Sequence, residues 1–314
     1  MADSGSRVLG RRHLWLLLPG LGLLELGAHL WFASRAPGLD AWRALAATAH
    51  GMKRPGEPIV VAPEWAEPLA RLAFGDAAFP LDELGRQDDR STPRVLEISE
   101  LGARAPGSRG WPVVSERQLG PFTLRVLQNP APLRPRYRFV DHVDPTALRV
   151  SLVTPAGERP CTFTEHARVT AGGLHGQVAF PARRFQCPGG DATFVGVTLI
   201  DDQNYRPRRC IWAHPPPWGS LRLRFSNVPL GTSLHGYGGL SYFLFRDGVG
   251  APVELSAASG EERFGSTRHH DETGWSSFDF STAARAGQTV DLDFEVRSGD
   301  PNRRDFCFSA EAEE

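Results

Sequence analysis

Val290-Asp-Leu-Asp-Phe-Glu-Val296 alternates apolar and acidic residues without a break. Successive side chains of a strand point to opposite faces, so Val290, Leu292, Phe294 and Val296 face a core while Asp291, Asp293 and Glu295 face water. Leu221-Arg-Leu-Arg-Phe225 repeats the pattern with the opposite charge, Arg222 and Arg224 pointing outward. If these two strands are neighbours, the charges meet as cross-strand pairs. The same period of two runs through 147–153, 193–200, 240–245, 253–256 and 305–310. Residues 137–314 are therefore expected to form an antiparallel β-sandwich.

Upstream, Asn129-Pro-Ala-Pro-Leu-Arg-Pro135 cannot continue a helix or a central strand, which makes 130–136 a linker. Residues 38–129 before it read as a small α/β domain. Asp40 is placed to cap a helix through Ala49, Pro55-Gly56 stops that helix, and Pro58-Ile-Val-Val-Ala62 reads as a buried strand. A helix from Trp65 to Phe74 and strands at 94–98 and 122–127 complete the unit.

His13 to Ala33 is an apolar run of 21 residues, and no comparable run recurs. At 1.5 Å per residue it reaches about 31 Å, the thickness of a hydrocarbon core. Arg7, Arg11 and Arg12 precede it, so the positive-inside bias places residues 1–12 in the cytoplasm, a transmembrane signal anchor at 13–34 and the bulk of the chain in the periplasm. The expected location is thus a bacterial inner membrane. A cleaved signal peptide with a site at Ser34-Arg-Ala36 is the competing reading. Glu25 and His29, four residues apart, share one helical face; they pair with each other, meet a membrane partner, or are simply tolerated near the water-facing half of a single span.

The composition is that of a folded, β-leaning protein: 41% hydrophobic, 23% charged, 33 Gly, 26 Pro and a formal net charge of −1. Near-neutral charge with both signs interspersed removes the footprint of a nucleic-acid binder. All four cysteines lie in the second half, and two disulfides fit an oxidising compartment. Of the three pairings, Cys161 with Cys187 and Cys210 with Cys307 is preferred. A zinc site lacks any Cys-x-x-Cys or His-x-x-His spacing.

Several groups are candidates for a site. Trp212, Trp218, Tyr237 and Tyr242 lie among Gly and Pro, in His214-Pro-Pro-Pro-Trp218 and Gly236-Tyr-Gly-Gly239, where aromatic faces stack on sugar rings or simply pack the loops. His269, His270 and Asp271 are weak metal candidates, because adjacent side chains converge only in a loop. Asp201-Asp202-Gln-Asn204 admits structural calcium but lacks the spacing of a recognised loop, and no other cofactor is indicated. Glu64 and Glu67 follow a strand end with no visible catalytic partner. No nucleophile elbow, P-loop, dinucleotide fingerprint or His-Glu-x-x-His is present.

Two resemblances add to this reading. The Asp40-x-Trp42-Arg43 helix, the Arg54-Pro-Gly-Glu-Pro-Ile-Val-Val turn and strand and the Arg94-Val-Leu strand resemble the extracytoplasmic tail of bacterial protein O-mannosyltransferase-like glycosyltransferases, over roughly residues 14–130. In that family a last membrane helix leads into a small α/β domain, while the catalytic acidic residue follows the first of many membrane helices. A chain with one span has no counterpart to that residue, so the resemblance implies a non-catalytic relative or accessory portion. The segment from Gly274 to Val296 resembles the late strands of galactose-binding-like jelly rolls, within roughly residues 210–312. The expected whole is an α+β multidomain protein with an N-terminal transmembrane helix, a small α/β domain and a C-terminal antiparallel jelly-roll sandwich. The expected function is non-catalytic binding of envelope glycans or of a membrane glycosyltransferase partner. The alternatives are a glycan-acting hydrolase or transferase using Glu64, Asp201 or Asp271 at the interdomain cleft, and a structural envelope spacer.

Overall fold

The computed structural model describes residues 17–169, 180–190, 193–203, 206–241 and 248–314. Helix α1 (Leu17–Ala33) has no buried residue along its 17 positions. Residues 13–16 of the expected span lie outside the described residues, and the described helix is about 25 Å long. Among the described residues no helix is long and apolar enough to cross a membrane.

Helix α2 (Leu39–Met52) buries Trp42, Leu45 and Ala49, one stripe at helical spacing. The expected cap at Asp40 is corrected: extended Gly38 is the N-cap, and Asp40 lies inside the first turn, paired with Arg43 at 3.1 Å. There its charge still faces the positive end of the helix dipole. The chain then runs through strand β1 (Ile59–Ala62), helices α3 (Glu67–Phe74) and α4 (Leu81–Leu84), and strands β2 (Arg94–Glu100), β3 (Val113–Leu119) and β4 (Phe122–Gln128). The sheet order is β1-β2-β4-β3, with only β1 and β2 parallel. Trp42, Phe74 and Phe122 pack between α2, α3 and this sheet.

The remaining strands are β5 (Tyr137–Arg138), β6 (Leu148–Thr154), β7 (Gly157–Pro160), β8 (Thr162–Thr164), β9 (Arg184–Gln186), β10 (Phe194–Asp201) and β11 (Pro207–Ala213). They continue as β12 (Ser220–Pro229), β13 (Ser233–Leu240), β14 (Val253–Ser259), β15 (Glu262–His269), β16 (Ser276–Ser281), β17 (Thr289–Ser298) and β18 (Phe306–Glu313). One antiparallel sheet has the order β16-β13-β18-β11-β10-β9-β8, with β5 paired to β18, and the other β15-β14-β17-β12-β6-β7. Side chains of both sheets share one core, where Phe294 and Phe308 approach to 5.1 Å across the layers.

The alternation that defined Val290–Val296 holds in detail. Strands β12 and β17 are neighbours with Arg222 opposite Glu295 and Arg224 opposite Asp293, and Arg224 makes two 2.7 Å bonds to the Asp293 carboxylate. Gly236-Tyr-Gly-Gly239, expected in a loop, is instead central strand β13. Neighbouring side chains cross it there: a Cβ on Gly236 would lie 2.3 Å from the Phe278 ring and 2.5 Å from Ser309 O.

The structure contains both preferred disulfides, Cys161–Cys187 and Cys210–Cys307, the latter 97 residues apart in sequence and joining adjacent strands β11 and β18. Closing so long a loop restricts the unfolded chain strongly. Replacing Cys210 and Cys307 together with Ala is expected to cost about 2–5 kcal/mol in denaturant-induced unfolding, more than the same change at Cys161 and Cys187.

Candidate functional site

The α/β unit and the sandwich meet through the segment Gly85–Arg90. Strand β18 pairs with β11 only at Ile211 and Trp212. Beside Arg209 the segment supplies the missing backbone partners: Arg209 N–H donates to Gly85 O at 2.8 Å, and the Gln87 amide donates to Arg209 O at 2.7 Å. A Cβ on Gly85 would fall 2.8 Å from the Arg209 nitrogen and 2.9 Å from Leu199, so only glycine allows this approach. Around it, the Arg208 guanidinium donates to Gln87 O (2.9 Å), the Trp275 indole N–H to Gln87 Oε1 (2.9 Å) and the Tyr237 hydroxyl to Asp88 (2.8 Å). Arg90 bridges Asp88 and Glu313 at 2.8 and 2.9 Å.

This junction borders a cleft of about 400 Å³. On β13, the alternation places His235 and Tyr237 on the same side of the strand, while Leu234 and Leu240 enter the core. His235 Nδ1 bonds Asp279 at 2.6 Å, and its buried Nε2 has no partner among the described residues. Glu311, opposite His235 on β18, pairs with Arg138 at 3.1 Å, and Arg138 also donates to the Ser91 hydroxyl. Burial pushes the Glu311 carboxyl above its ordinary range, against the pull of Arg138. Burial acts the same way on Asp88, but bonds from Arg90 and Tyr237 outweigh it and hold that carboxyl below the ordinary range. Burial and the bond to Asp88 raise the Tyr237 hydroxyl.

The candidate aromatics do not form one surface. Trp212 is 1% exposed, stacked on Phe194 in a small core with Cys210 and Cys307, and is removed as a ligand contact. Tyr237 is half-buried at the junction, and Tyr242 lies outside the described residues. Trp218 is 63% exposed on the connection between β11 and β12, beside Pro155 and Arg159 in an open hollow. Three prolines, Pro215 to Pro217, stiffen the approach to it.

The metal candidates separate as well. His269 is wholly buried at the end of β15, and burial, with some help from His270, lowers it to about 4. His270 is exposed, and Asp271 is the counter-ion of Arg304, a guanidinium only 2% exposed. Of the calcium candidates, Asp202 accepts from the Arg206 N–H and the Arg208 guanidinium, and Asn204 lies outside the described residues. Among the described residues no group of three or more His, Cys, Asp or Glu is arranged to hold a metal.

Of the three acids considered for catalysis, none lines the 400 Å³ cleft. Glu64 borders an adjoining hollow of about 210 Å³, also between the α/β unit and the sandwich, and pairs with Arg206 at 2.6 Å, while Asp201 and Asp271 line neither space. The cleft residues Asp88, Arg90, Arg138, His235 and Glu311 were not singled out from the sequence. The one available signal was the alternation around His235 and Tyr237, obscured by three glycines. Glu25 and His29 are both exposed on α1, as is every described neighbour on that helix.

No protein-family model matches this chain, and no curated protein matches it in sequence. Among solved structures, it is similar to the CBM51-2 and INT domains of Clostridium perfringens ZmpB at 12% identity and a TM-score of 0.27, over 53% of this chain and 35% of that one. The same domains with GlcNAc give 12% identity and a TM-score of 0.29, over 64% of this chain and 46% of theirs. TmCBM61 in complex with beta-1,4-galactotriose gives 12% identity and 0.26, over 57% of this chain and 95% of that one. The chain therefore spans less than half the length of the ZmpB structures. These neighbours are carbohydrate-binding modules, and a likeness this loose carries no argument about ligand or mechanism here.

Two outcomes are expected from this geometry. Gly85→Ala forces its methyl into Arg209 and should destabilise the protein by about 1–3 kcal/mol, read by thermal unfolding. His269 is held neutral in the fold, so it contributes stability above its ordinary value of 6.5 that is lost as pH falls toward 4. The melting temperature should fall across that window, and His269→Gln should flatten the fall.

Proposed function

We propose that this chain is a membrane-anchored, non-catalytic binding protein whose sandwich, a jelly roll of the carbohydrate-binding kind, holds envelope glycans. Trp218 carries the reading: its indole is exposed on a proline-stiffened connection, flanked by Pro155 and by the Arg159 side chain. A flat aromatic face held open to solvent binds the C–H face of a sugar ring, and a neighbouring guanidinium supplies hydrogen bonds to its hydroxyls.

Anchoring is supported by the apolar run His13–Ala33 and by α1 itself, where Leu17, Leu21, Leu24, Trp31 and Phe32 are all exposed. Lipid is the solvent that such a helix fits. The arginines before the run orient it with the N-terminus in the cytoplasm and the sandwich in the periplasm of a bacterial inner membrane, where the two disulfides persist. Glu25 and His29 then form the face offered to a membrane glycosyltransferase partner, since polar groups in a span seek one another.

The test is titration of the full-length protein with envelope glycan fragments and a glycan array. Trp218→Ala should weaken binding by about tenfold or more while leaving the melting temperature unchanged, since the side chain supports little of the fold. Fragments longer than one sugar that bind as tightly after this change remove Trp218 as the platform.

A further inference from the structure

The geometry points to a second ligand site, the cleft between Gly85–Ser91 and strands β13 and β18, which takes a neutral, hydroxyl-rich ligand the size of a sugar residue. It lies apart from Trp218 and does not depend on it.

Its size, about 400 Å³, falls within the range of small-molecule sites, roughly 300–1,000 Å³. The chemistry of the wall selects the ligand. Among the described residues four arginines and four acidic side chains line it, and each acid already faces a cation: Glu83 with Lys53, Asp88 with Arg90, Asp141 with Arg209 and Glu311 with Arg138. An incoming anion or cation would have to break one of these pairs and strand a half-buried charge. A neutral hydroxyl need not, because paired guanidinium and carboxylate groups keep spare donors and acceptors at fixed positions.

His235 gives the second, independent observation. Its side chain is 8% exposed, Nδ1 is engaged by Asp279, and Nε2 is buried without a partner among the described residues. An unpaired buried nitrogen destabilises the fold until a partner reaches it. A hydroxyl is suited to be that partner, because it donates to a bare ring nitrogen and accepts from a protonated one. Glu311, Asp279 and Asp88 around the ring make a carboxylate or phosphate the wrong partner. The Tyr237 ring, set edge to face against His235 at 5.1 Å, adds an apolar face of the kind that C–H groups need.

The test uses full-length protein in a detergent without a sugar headgroup, with galactose, glucose and N-acetylglucosamine as probes and glucuronate and inorganic phosphate as charged controls. Saturation-transfer NMR and calorimetry should show saturable binding of at least one neutral sugar and none of the controls. Glu311→Gln and His235→Leu should each weaken it by about tenfold. Ser91→Trp, a part-exposed residue on the cleft rim, should block it without touching the core, which covers the case that a cleft variant misfolds. Trp218→Ala should leave this binding intact. Saturable binding of no sugar, tighter binding of glucuronate or phosphate, or binding that Ser91→Trp spares overturns the proposal. Sensitivity to Trp218→Ala alone would assign the sugar to the Trp218 platform and discard this cleft.

Discussion

The contact on which the arrangement of the whole molecule depends is the seat of Gly85 against Arg209. Strand β11 leaves part of its edge uncovered because β18 meets it only at Ile211 and Trp212. Backbone groups left without partners in a buried place are costly, so something must complete that edge. A turn from the other unit does so, and the absence of a side chain at position 85 is what lets it come close enough. The bonds around that seat, from the Trp275 indole bond to the Arg90 bridge, are polar and directional. Such bonds fix an orientation, whereas a smooth apolar interface would permit sliding.

That orientation creates the cleft. Tyr237 and His235 belong to the sandwich, Asp88 and Arg90 to the α/β unit, and neither pair alone encloses anything. The same junction explains the unusual electrostatics: a carboxyl held low by its donors at Asp88 sits near one pushed up by burial at Glu311. Charges are present in quantity yet matched one against another, which makes the cleft polar without making it a charged trap.

Legibility of the fold followed the side-chain pattern. Strands β6, β12 and β17 have one face in the core and one in water, and their alternation marked them, even to the pairing of Arg224 with Asp293. Strand β13 was missed because Gly236, Gly238 and Gly239 read as a loop, although they are glycines because Phe278, Trp275 and His269 pack across them. Strand β3 was missed for the opposite reason: nearly all of it is exposed, so burial wrote no pattern into its sequence. The candidate site was less legible still. An exposed tryptophan and a buried one look alike in sequence, and Trp212 and Trp218 differ only in which side of a sheet or loop each occupies.

The sequence by itself determined the strand-rich class of the second half, the apolar character of the first helix, the even cysteine count and the absence of familiar catalytic motifs. These are local properties, written by burial and charge within a few residues of each other. Tertiary structure alone decided that His269 is core, that Asp271 neutralises Arg304, and that Asp88, Arg90, Arg138, His235 and Glu311 gather around one cleft. Those residues come from segments far apart in the chain, and the closure of β18 beside β13 and the seating of Gly85 bring them to one cleft, where Arg138 pairs with Glu311 and Tyr237 donates to Asp88.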